Sequence, residues 1–99
     1  MKTIILGTEH DETLRQALMT TLKGLGAVHL DRSRGHAGSQ DLEVTKVKIG
    51  NDIVTIEFET FVGLSVIGPP ALVDQIALLT RQTVRSGKAP AKKPAQPKP

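Results

Sequence analysis

The last thirteen residues, GKAPAKKPAQPKP, limit what this chain can fold into. They hold four prolines, the four lysines Lys88, Lys92, Lys93 and Lys98, and no acid. Such a segment buries too little apolar surface to offset the entropy of ordering it. Residues 87–99 are therefore expected to form a disordered basic tail, and any core must come from residues 1–86 as a single globular domain. The tail also carries the net charge. Nine of the thirteen Lys/Arg lie in residues 1–86 against all ten Asp/Glu, so a chain of +3 is a body of −1 followed by a tail of +4. An excess of cations often marks a nucleic-acid-binding fold, because clustered cations release counterions from phosphates. Here that inference is confined to the tail.

A length of 99 residues with 38% apolar and 23% charged content fits one small domain. The absence of cysteine excludes a disulfide framework, a thiolate metal site and a cysteine nucleophile. The start, MKTIILGTEHDE, has too short an apolar run for a signal-peptide core, and Glu57 and Glu59 interrupt the best candidate for a membrane span. The expected setting is cytoplasmic, without membrane contact.

Local patterns predict the elements. Lys2 to Leu6 reads as a strand closed by Gly7. Thr8 and Asp11 stand at capping-box spacing, and Glu9, Asp11 and Glu12 place negative charge where helix amides favour it. A helix follows, with Leu14, Ala17, Leu18, Thr21, Leu22 and Leu25 as its apolar stripe and Gly24 and Gly26 as its stop. Ala27 to Asp31 alternates as a second strand, and RSRGHAGSQ over residues 32–40 reads as a mobile loop. From Leu42 to Ile49 the apolar parity switches from Leu42 and Val44 to Val47 and Ile49, which predicts a bulge near Thr45. Gly50, Asn51 and Asp52 form a turn, Ile53 to Thr60 a fourth strand, and Leu64 to Ile67 a short fifth. Pro70 opens a second helix that runs to Ser86, with Gly87 as its C-cap.

The expected fold class is α+β: a two-layer sandwich in β-α-β-β-β-α order, with a mixed, mostly antiparallel sheet and both helices on one face. The first two strands would pair in parallel through a right-handed crossover.

That crossover would bring the loops after the first two strands to one edge, with His10 and Asp11 near Asp31 and His36. Imidazoles and carboxylates together are weak candidates for a metal site or for general acid and base work. The plainer reading is dipole compensation by the acids and surface pairing by Arg32 and Arg34. His29 reads as a half-buried packing residue. No phosphate-binding loop, G-x-S-x-G elbow or H-E-x-x-H spacing occurs. The residues therefore point to no cofactor and no assigned catalytic group.

What remains is recognition of another protein or of a second copy. The short apolar L-S-V-I strand is expected to be an open edge that invites strand addition, with Phe61, Val62, Leu64 and Val66 as the contact residues. The function expected is a small non-enzymatic interaction module, within a larger assembly or a homo-oligomer. The alternatives are a nucleic-acid-associated protein that binds phosphates through Lys88, Lys92, Lys93 and Lys98 with Arg32 and Arg34, and, more weakly, a metal- or phosphate-dependent enzyme.

Overall fold

The structure is a computed structural model that describes residues 1–8, 11–60 and 62–86, leaving out the side chains of His36 and Ala37. The order is β1 (Lys2–Gly7), α1 (Glu12–Gly24), β2 (Val28–Ala37), β3 (Gln40–Ile49), β4 (Asp52–Glu59), β5 (Gly63–Gly68) and α2 (Pro70–Ser86). The five strands form one sheet in the order β1-β5-β4-β3-β2, and every neighbouring pair is antiparallel. The fold is thus α+β, with the five strands and two helices read from the local patterns, which makes the order β-α-β-β-β-β-α rather than β-α-β-β-β-α, and with no parallel pair among the described residues.

Helix α1 starts at Asp11 rather than Thr8. The Asp11 carboxylate accepts from the Leu14 amide at 2.9 Å, which satisfies one of the amides left free at a helix start. The predicted stripe is the buried one: Leu14, Ala17, Leu18, Thr21 and Leu22. At the other end the Ala27 and Gly26 amides donate back to Leu22 and Lys23, both at 3.0 Å. Gly26 takes the positive φ of 78° that this closure needs. Helix α2 occupies the span its sequence predicts, and Val73, Ile76, Ala77 and Thr80 form its buried stripe.

Both helices share one core with a single face of the sheet, made by Val47, Val54, Ile56, Leu64 and Val66, with Ile4 and Phe58 beside it. The strand register gives those residues one side. We call it the inner face, and the opposite side the outer face.

The predicted parallel pair does not form. Strands β1 and β2 are the two edges of the sheet, and β5 lies between β1 and β4. The reason lies in the chemistry of the strands. β5 is apolar enough to have Leu64 and Val66 at 0% exposure, so it gains from neighbours on both sides. The charged sequence VHLDRSRGHA of β2 tolerates an edge better. β1 closes tightly on β5 at Gly63, whose φ is 120° and where a Cβ would lie against the Gly7 carbonyl oxygen.

Residues 32–37 are strand rather than loop, because β2 pairs with β3 as far as Ala37 and Gln40. Cross-strand pairing supplies what local apolar periodicity lacks: Glu43 takes Arg32 at 2.6 Å and Arg34 at 3.5 Å. The bulge falls in β2, between His29 and Asp31, and β3 pairs with β4 without a slip from Leu42 to Ile49. The parity switch in β3 therefore has another meaning. Val47 and Ile49 face inward, whereas Leu42 and Val44 lie on the outer face.

Candidate functional site

The outer face is the surface that the chain's own helices leave uncovered. By register it carries Thr3 and Ile5 from β1, and Ser65 and Ile67 from β5. β4 adds Ile53, Thr55, Glu57 and Glu59, and β3 adds Leu42, Val44, Lys46 and Lys48. Val28, Asp31 and Ser33 complete it from β2. None of these residues belongs to the core cluster. Ile5 is 54% exposed, Ile53 41% and Val28 59%, while Leu42, Val44 and Ile67 are half-buried among their neighbours. An antiparallel sheet commonly turns one polar face to water. This one carries six large aliphatic residues there.

Its charges are sorted along the strands. Lys48 stands beside Ile53 and Lys46 beside Thr55, whereas Glu57 stands beside Val44 and Glu59 beside Leu42. On β3 and β4 one end of the face is thus basic and the other acidic, while Asp31 of β2 stands beside Lys46 at the basic end. Among the described residues Lys46, Lys48 and Glu57 have no ion-pair partner, and Glu59 accepts a hydrogen bond from the Gln40 amide at 2.9 Å.

On the inner face the helices leave a second opening, a groove of about 520 Å³ between α1 and strands β2, β3 and β4. Met19, Leu22, Val47 and Phe58 supply its apolar lining. The Arg15 guanidinium lies 4.4 Å from the centre of the Phe58 ring. Arg32 is tied to Glu43, and Glu12 accepts from Gln16 at 2.8 Å, so much of the rim's charge is already engaged.

The residues singled out from sequence do not converge. Asp11 caps α1 near the end of β1, and Asp31 sits on the outer face of the opposite edge strand, beside Lys46. Four strand spacings, roughly 19 Å, separate those edges. Asp11 and Asp31 are therefore not brought together, and the described residues contain no cluster able to hold a metal ion. His10 and the His36 side chain lie outside the described residues. His29 is exposed rather than half-buried, because the β2 edge has no neighbour beyond it.

Leu64 and Val66 are core residues of an interior strand, so neither offers a surface and no edge exists there for strand addition. Val62 is exposed in the turn before β5, and Phe61 lies outside the described residues. Arg32 and Arg34 are exposed but share Glu43, which competes with a phosphate for both. Lys88, Lys92, Lys93 and Lys98 lie outside the described residues. No helix among the described residues is long and apolar enough to cross a membrane.

The outer face was not anticipated as a contact surface, although a signal for it was present. The switch of apolar parity at Thr45 is what a strand with apolar residues on both faces produces. No protein-family model, curated protein or solved structure matches the chain.

Proposed function

We propose that this chain is a small non-enzymatic interaction module whose contact surface is the outer face of its sheet. The observation that carries the reading is the set of Ile5, Val28, Leu42, Val44, Ile53 and Ile67 on a face that adds nothing to the chain's own core. Apolar area left in water forgoes stabilisation of roughly 25 cal/mol per Å². Six aliphatic residues gathered on one face, interspersed with Lys46, Lys48, Glu57 and Glu59, support reading it as a surface that is covered in use. This moves the contact surface away from Leu64 and Val66 while keeping the class of function.

The test compares the full wild-type chain with a Val28→Asp/Val44→Asp variant as bait in extract of the source cells, with nuclease added. Proteins retained by the wild type and released by the variant support the reading. Equal capture by both, or capture that nuclease removes, overturns it.

A further inference from the structure

The groove on the inner face has two chemically different ends. The strand register sets Glu43 level with Phe58 at one end and His29 level with Val47 at the other. At the first end the charges answer one another: Arg15 lies over the Phe58 ring, Glu43 takes both Arg32 and Arg34, and Glu12 accepts from Gln16. The second end has no acid among its lining residues. There α1 turns directly into β2, with the Ala27 and Gly26 amides closing onto the Leu22 and Lys23 carbonyls, which sets Lys23 beside the start of the strand that carries His29. Both residues line the groove and both are exposed at its mouth. Among the described residues neither side chain has an ion-pair or hydrogen-bond partner, and Asp31, the next acid along β2, stands on the outer face. Between the two ends the floor is Met19, Leu22, Val47 and Ile56.

We infer that this groove binds a small amphipathic carboxylate, with an unbranched aliphatic body along the floor and the carboxylate held at the mouth by the Lys23 ammonium and an N–H of the His29 imidazole. The site lies on the opposite side of the sheet from the outer face and does not depend on that face being a contact surface. Its volume of about 520 Å³ and its apolar floor with a few polar groups gathered in one place are those of a small-molecule site. From Arg15 to Lys23 the helix runs about 12 Å, at about 1.5 Å per residue. An extended zigzag chain of about ten carbons, at about 1.5 Å per bond, covers that length. The body is aliphatic rather than aromatic because the floor is, and because Arg15 already covers the Phe58 ring. Charge selects the head. Residues 1–86 sum to −1, yet this mouth holds an unanswered cation and no acid, which favours an anion over a cation. The α1 carbonyls at that end, which would repel an anion, are taken by the Leu25, Gly26 and Ala27 amides.

Titration of the full-length, methyl-labelled chain with sodium decanoate below its micelle concentration, followed by NMR, tests the inference. Saturable shifts of the Met19, Leu22, Val47 and Ile56 methyls are expected, with a Kd below about 1 mM. Decanol, which has the body without the charge, and butyrate, which has the head with little body, should each bind at least about 10-fold more weakly. Lys23→Gln/His29→Gln should weaken decanoate at least about 10-fold and leave decanol as it was, which also shows that the variant is folded. Lys46→Gln removes one charge from the outer face and should bind decanoate as the wild type does. Absence of saturable groove shifts up to about 2 mM decanoate overturns the inference. So does decanol binding as tightly as decanoate, an unchanged decanoate affinity in Lys23→Gln/His29→Gln, or an equal loss in Lys46→Gln.

Discussion

The two faces of one sheet have nearly the same supply of aliphatic residues and put it to different use. On the inner face Val47, Val54, Ile56, Leu64 and Val66 are sealed by α1 and α2, and no charge separates them. On the outer face Ile5, Val28 and Ile53 stay open, and Lys46, Lys48, Glu57 and Glu59 are set among their neighbours. Burial of apolar area explains the part of the inner face that the helices cover. It leaves the outer face unexplained unless something outside the described chain covers it.

The largest effect is expected at Gly63, where β1 closes onto β5. Gly63→Ala demands a positive φ from an L residue and places its Cβ against the Gly7 carbonyl, so a loss of more than about 3 kcal/mol is expected by urea unfolding. Gly35→Ala in β2, where a Cβ meets nothing within 4 Å, should change stability by less than about 0.5 kcal/mol. Equal effects at the two glycines would mean that β1 is not pinned as described.

A smaller separation is expected between side chains of similar size. Leu18→Ala opens a cavity in the core and should cost about 2–5 kcal/mol, whereas Ile53→Ala in dilute, monomeric chain should stay within about 0.5 kcal/mol. An Ile53→Ala loss as large as that of Leu18→Ala would place the outer face in the chain's own core.

The smallest effect concerns the helix layer. Thr80 is fully buried and its hydroxyl has no hydrogen-bond partner, so Thr80→Val keeps the shape and removes an unmet polar group. Thermal or urea unfolding should register a gain of up to about 1 kcal/mol. A loss of that size would mean that the hydroxyl has a partner.

How much was legible in sequence varies with the range of the interaction that decides it. Helix α2 was readable to the residue, since Pro70 at its start and the Val73, Ile76, Ala77 and Thr80 stripe are local signals. The hairpin at Gly50 and Asn51 was readable for the same reason. Residues 32–37 were not, because they are held as strand by Glu43 and the β3 backbone, eleven residues away or less in sequence but across a turn. The site was the least legible part. A short apolar strand looks alike at an edge and in the interior, so nothing local to Leu64 and Val66 says which they occupy. Only the pairing of β1 with β5 tells them apart.

The sequence by itself determined the class of the fold, the span of α2, the apolar stripe of α1 and the distribution of charge along the chain, because periodicity, capping residues and net charge act within a few residues of one another. The strand order, the position of the bulge and the identity of the uncovered face were decided only in the tertiary structure. A strand's two faces are chemically equivalent until a neighbour or a helix chooses one, and that choice is made by partners far away along the chain, sixty residues between Ile5 and Ser65.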